Sequence, residues 1–182
     1  GSIRYLGTPI SVNASTLVRA RLFEQGRAPG PVREEAYLKL ANDARTLTSN
    51  LPVVVLDQLG GGPTASNGKA FTFWAIFEPG EDGGRTRLLG DYALGTRAGF
   101  KVRGSSSTGF AKQSWSIEAW NEANTNKNIS PLGLPSESDW ILSGRYTFDR
   151  ALMRNPFIYE LSNQIGRYAV RTRFVEVYLN RN

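Results

Sequence analysis

Apolar and polar residues alternate in several short segments of the chain, and apolar residues recur every third or fourth position in one stretch near its end. Residues 51–56, LPVVVL, are a near-continuous β-branched run introduced by Pro52 and followed by Asp57, which predicts a strand buried on both faces. Residues 70–78, AFTFWAIFE, predict a second strong strand; residues 79–84, PGEDGG, predict a turn of the kind that joins antiparallel strands, with 85–89 returning. Residues 100–103 and 113–120 alternate polar and apolar positions as half-buried strands do, and Trp140, Ile141 and Leu142 predict a short buried strand. Nearer the start, Leu17, Arg19 and Arg21 alternate with Val18, Ala20 and Leu22. Gly26 and residues 28–31, APGP, predict a turn, and residues 32–40 return, giving a hairpin with one apolar face that must pack on something. Residues 42–50, polar and aperiodic, read as a linker.

The helical period belongs to Leu152, Ile158, Leu161 and Ile165. Asp149 is placed to cap that helix and Gly166 to end it in a left-handed turn, while Pro156 predicts a kink or a short turn before a second helix. Residues 172–179 predict a closing strand. The fold class expected is α+β: a mainly antiparallel sheet with one kinked helix packed on it, plus an N-terminal hairpin.

Composition narrows the chemistry. At 182 residues with 40% apolar and 21% charged content the chain supports a well-buried core, and no apolar run is long enough to cross a bilayer as a helix. It contains neither histidine nor cysteine, which excludes Ser-His-Asp and Cys-His nucleophile systems, Cys/His zinc sites and disulfides. Any metal would be a hard cation on oxygen ligands. The net charge of +6 favours anionic partners, but the basic residues are dispersed, with a loose cluster at Arg167, Arg171 and Arg173. Nucleic acid is therefore not an expected partner. The opening Gly1-Ser2 looks like the remnant of a cleaved tag on an excised fragment.

Candidate chemistry concentrates at residues 104–109, GSSSTG, between two strands. A loop of glycine and serine can turn amides and hydroxyls toward an anion, with Arg103 and Lys112 flanking it in positive charge. The plain alternative is a Ser/Gly hairpin with solvated basic flanks. The glycine-rich residues 60–68 carry neither a Walker lysine pattern nor GxGxxG and read as a flexible connection. The Asn-rich residues 121–128 lack EF-hand spacing and read as turns. Trp74, Trp115, Trp120 and Trp140 serve either a core or a non-enzymatic carbohydrate-binding or surface-adhesion module, and the second use requires a flat exposed row.

The run SDWILSGRYTFDRALMRNPFIYELSNQIGRYAVRTRFVEVYLN, preceded by RGSSSTGFAKQSWSIE and LGLPSESDW, resembles the spore-coat CotH family of atypical protein kinases. The resemblance covers about residues 51–180 and implies an atypical-kinase N-terminal lobe over 51–182. It also implies an ATP-dependent transfer of phosphate to a protein substrate, with ATP and Mg2+ as cofactors. On the matching motifs it assigns Arg103, Ser105, Ser106, Lys112 and Arg154 to the nucleotide, Lys112 facing the phosphates and Arg154 within LMRN. Gln113 replaces a second lysine common in the family. The family's catalytic and metal-binding acids follow VEVYLN, so the resemblance implies a nucleotide-cradling half, inactive alone, with catalytic residues unknown and an extracellular, cell-surface or spore-surface setting. Asp139, Asp149 and Glu176 are the available carboxylates, Asp149 better explained as a cap and Glu176 as a strand residue. Within an N-terminal segment of residues 1–41, the run ISVNASTLVRARLFEQGRAPGPVREEAY, residues 10–37, resembles the closing strands of a fibronectin-III-like or chitobiase C-terminal module.

Overall fold

A computed structural model describes residues 3–60, 68–80, 84–144 and 146–179. Most of the expected loop at 60–68, the middle of the expected turn at 79–84, and Gly1-Ser2 lie outside those residues. The described chain is mostly β. Its centre is a six-stranded mixed sheet of β4 (Val53–Asp57), β5 (Ala70–Phe77), β7 (Leu94–Arg103), β8 (Ser114–Trp120), β9 (Asp139–Leu142) and β10 (Glu176–Leu179), in the order β10-β4-β5-β7-β8-β9. β10 joins β4 in parallel, and the other four pairings are antiparallel.

The two-residue period sorts side chains onto the two faces of this sheet. Val53, Val55, Phe73, Ala75 and Phe77 form one core with Ala36, Ala44 and Leu88 laid over them. Val54, Leu56, Trp74, Ile76, Ala98, Phe100, Ile117 and Ala119 form the other, covered in part by Ile129, Leu132 and Val175. The run at 51–56 therefore reads as continuously apolar because β4 is buried on both sides.

The expected N-terminal hairpin exists as β1 (Thr16–Ala20) and β2 (Arg33–Tyr37), paired antiparallel. The face it buries is not the one its apolar residues mark. Leu17 and its partner Ala36 pack on the sheet, whereas Leu22 is exposed. Polar pairing decides this: on the Leu17 face Glu34 takes both Arg19 and Arg97 at 3.0 Å, and Arg97 also reaches Asn124 and lies over the Phe71 ring. A buried bond from Ser15 to Asp57 fastens the hairpin to β4.

Residues 42–50, expected to link, carry α1 (Asn42–Thr46), whose Ala44 is buried, and β3 (Thr48–Ser49). The expected return at 85–89 pairs elsewhere than predicted. β6 (Thr86–Arg87) joins β3 and not β5, because Arg85 forks onto the Thr48 carbonyl and hydroxyl and the Asn50 amide oxygen. β9 is an outer strand with Ile141 exposed rather than buried, and β10 is shorter than the 172–179 expected.

The helix differs most from expectation. α2 (Arg154–Gln164) is one uninterrupted helix. Leu152 stands outside it at φ 55°, and Pro156 sits in its first turn, where a missing amide breaks no helical bond. Asp149 still supplies a carboxylate to an amide of the first turn, that of Arg154 at 2.7 Å. Gly166 (φ 79°) closes the other end as expected, with the Arg167 amide donating to the Ser162 carbonyl at 2.9 Å. The apolar stripe of α2 is exposed and does not pack on the sheet.

Candidate functional site

Strands β7 and β8 hold the candidate loop between them. Arg103 ends β7 directly opposite Ser114, which begins β8, so the intervening residues fold back at one end of the sheet and return through Lys112. Gly104 makes the first corner at φ 128°, and a Cβ there would lie 2.2 Å from the Ser107 hydroxyl; only glycine fits. A short 3-10 turn, Ser106–Gly109, follows. Its interior bonds use the Thr108 hydroxyl, which donates to the Ser105 carbonyl at 2.8 Å, and the Phe110 amide, which donates to the Ser107 carbonyl at 3.3 Å. Gln113 donates its side-chain amide to the Thr108 carbonyl at 2.6 Å and so braces the loop from its far end.

Arg103, Ser105, Ser106 and Lys112 are all exposed, and among the described residues none of their side chains forms an ion pair or hydrogen bond. Two cations and two hydroxyls thus flank one turn with their bonding capacity open. The loop is seated from below by the segment after β9. Gly144 lies so close that a Cβ would stand 2.2 Å from the Gln113 carbonyl and 3.0 Å from that of Lys112. Its amide donates to the Ser114 hydroxyl at 3.0 Å, and Phe148 meets Phe110 edge-on at 5.3 Å. Arg154 opens α2 six residues beyond Phe148; it is exposed, and no contact among the described residues joins it to Arg103 or Lys112. A shallow hollow elsewhere, lined by Val12–Ala14 and Tyr37–Lys39, contains none of these side chains.

A second charged group escaped the sequence reading. Lys69, just before β5, reaches Glu118 on β8 and Asp139 on β9, the latter at 3.2 Å. Burial alone would lower the pKa of this ammonium, but the hydrogen bonds from both carboxylates and their charges outweigh it and raise the value. No local pattern marks these three residues, since sheet order alone brings them together. Among the described residues no three of Asp, Glu, His or Cys gather as a metal site would require.

Trp74 is buried and Trp115, Trp120 and Trp140 are half-buried, so the flat exposed row that sugar stacking requires is not formed by these rings. Trp120 lies over Gly99, where a Cβ would come within 2.1 Å of its ring, and Trp140 meets Trp74 edge-on. Their work is packing.

The fold and loop define a β-sheet domain with a cationic, hydroxyl-rich strand-to-strand turn. Residues 100–182 match the family described as CotH kinase protein, which bears out over that stretch the resemblance read from the sequence. That match begins within β7 and takes in the whole candidate loop, Arg154 and β10. No curated protein and no solved structure matches the chain.

Proposed function

We propose that residues 51–182 form the nucleotide-cradling part of a CotH-like ATP-dependent protein kinase, its sheet serving as the N-terminal lobe. The observation that carries this reading is the loop at 104–111. Arg103 and Lys112 bracket it, Ser105 and Ser106 project hydroxyls from it, and none of the four is engaged by another described residue.

Phosphoryl transfer needs cations and donors around the β and γ phosphates, because its transition state spreads charge over their oxygens. Lys112 and Arg103 would neutralise that charge, Arg103 offering a planar fork and Lys112 a point charge, while the two serine hydroxyls donate between them. Gln113 and Gly144 hold the turn in place rather than touching the ligand. This donor set fits the phosphates of a nucleotide. It does not fit a divalent cation, since the described residues gather no acidic group for one, and the acceptor-orienting carboxylate is likewise not supplied by Asp149, which caps α2, or Glu176, which accepts from Ser49. The bound nucleotide would be held and oriented here, with phosphate transfer to a protein hydroxyl depending on carboxylates beyond this set.

Titration with ATP, with and without magnesium, tests the reading. Lys112→Ala and Arg103→Ala should each weaken binding about tenfold or more, as expected when one charged partner of a phosphate is removed. Equal affinity in the wild type and both variants would overturn it, as would no binding at all.

A further inference from the structure

Phe148 stands with its side chain 67% exposed. A single exposed aromatic is ordinary on a protein surface. What sets this one apart is the place it occupies and how it is held there. Its ring meets that of Phe110 edge-on, with centroids 5.3 Å apart and planes at 74°. Phe110 belongs to the candidate loop and precedes Lys112 by two residues, so their backbones are no more than about 7 Å apart. Phe110 is itself fixed, its amide donating to the Ser107 carbonyl at 3.3 Å. On the other side of Phe148 the chain is pinned through Asp149, whose carbonyl accepts the Leu152 amide at 3.0 Å and whose carboxylate accepts the Arg154 amide at 2.7 Å. A ring held against the loop and largely open to solvent has little freedom left to lose when a flat ligand lies on it.

The loop beside this ring presents Arg103, Lys112, Ser105 and Ser106, none engaged by another described residue. Phosphates gathered there leave the rest of a nucleotide, a planar base on a short sugar link, to find a surface close by. The half-buried Trp115, which follows the loop on β8, is already committed: its ring lies 5.3 Å from that of Phe100 with planes 34° apart, and it packs on the second core. Phe148 is the ring that is both joined to the loop and exposed. Stacking suits it, because every base has a π face and a phenylalanine ring brings no polar atom of its own to satisfy.

We infer that Phe148 is the base-stacking residue of this site, receiving the flat face of the nucleobase while Arg103, Lys112 and the serine hydroxyls hold the phosphates. The inference rests on the proposed nucleotide function and adds to it the side chain that tells a nucleotide from a bare polyphosphate.

Calorimetric titration with ATP and with inorganic tripolyphosphate tests it, since both carry the phosphates and only ATP carries a base. Phe148→Ala should weaken ATP binding about five- to a hundredfold, the range for one lost base stack, and leave tripolyphosphate within about twofold. Phe148→Leu, which keeps an apolar side chain against Phe110 but no ring, should do the same, and Phe148→Trp should hold ATP at least as tightly as the wild type. Lys112→Ala should weaken both ligands. A side chain that only seats the loop would, when removed, weaken ATP and tripolyphosphate equally; that result overturns the inference. So does an unchanged ATP affinity in Phe148→Ala or in Phe148→Leu. In those cases the nucleotide function still stands if Lys112→Ala weakens ATP. A wild type that does not bind ATP overturns that function, and this inference with it.

Discussion

Ser15 donates its hydroxyl to Asp57 Oδ2 at 2.6 Å across 42 residues of chain, and both side chains are buried. The same hydroxyl accepts the Lys39 amide at 3.0 Å, so one serine ties both ends of the N-terminal hairpin to the central strand β4. Removing a buried donor leaves its acceptor under-satisfied and costs about 1–3 kcal/mol. Ser15→Ala should therefore lower the urea midpoint of the whole molecule, in a single transition shared by hairpin and sheet. A variant that melts the hairpin first and leaves the sheet's midpoint unmoved would show the hairpin to be a separate module.

Gly144 touches the backbone of the candidate loop, and the carbonyls of Gln113 and Lys112 cannot swing aside as a side chain would. Gly144→Ala should destabilise by about 1–3 kcal/mol, the range for forced overpacking, and should weaken ATP binding because Lys112 moves with its backbone. Gly109→Ala in the same loop meets nothing within 4 Å and should change stability by less than about 0.5 kcal/mol. Equal effects from the two substitutions would refute the seating role assigned to Gly144.

Lys69, just before β5, meets Glu118 of β8 and Asp139 of β9, and the lysine is largely shielded. A double-mutant cycle of Lys69→Met with Glu118→Gln should show a coupling of about 0.5–3 kcal/mol at neutral pH, as groups in one network do. The folded-state pKa of Lys69 is raised, so this stabilisation is complete below the unfolded value of about 10.4 and is lost as pH climbs through the folded value. A coupling that persists in strong alkali would contradict the ionic account.

Tyr92 packs edge-on against Phe73 and Phe77, and its hydroxyl donates to Glu35 at 2.7 Å. Burial, with the Glu35 hydrogen bond and charge adding to it, pushes its pKa up to about 12. The folded protein thus keeps a proton that the unfolded chain gives up near pH 10, and stability falls as pH rises from there toward 12. Tyr92→Phe should cost about 0.5–1.5 kcal/mol at pH 7, the net value of one hydrogen bond. Its alkaline decline should also be shallower than that of the wild type, measured by urea midpoints across pH 8–12.

The strands were legible where burial imposes a pattern that neighbours along the chain can display. Residues 51–56 and 70–78 announce β4 and β5 because each lies inside two cores, and alternation at 113–120 announces β8 because one face is buried and the other is not. The loop from Gly104 to Gly109 was legible for the same local reason, glycine and serine being what a sharp corner between strands requires. Pairing was not. β6 seeks β3 because of one arginine fork, and β10 crosses to the far edge to lie parallel to β4; neither choice leaves a mark in the residues that make it.

Helix α2 separates the two kinds of information most sharply. Its period, its cap at Asp149 and its stop at Gly166 are written in consecutive residues, since propensity and capping act within a turn or two. Which side faces inward is not, because the period marks an apolar stripe without saying what it packs against, and in the fold the half-buried side is that of Asn155, Tyr159, Ser162 and Asn163. The amino-acid sequence by itself determined the segments that form β4, β5 and β8, the corner that presents Arg103 and Lys112, and a match to a known family over residues 100–182. The tertiary structure decided which strands touch, which hairpin face is buried, how Lys69 meets its two acids, and that an apolar stripe is turned outward. Short-range forces are recorded where they act, whereas contacts between distant residues exist only once the chain has closed on itself.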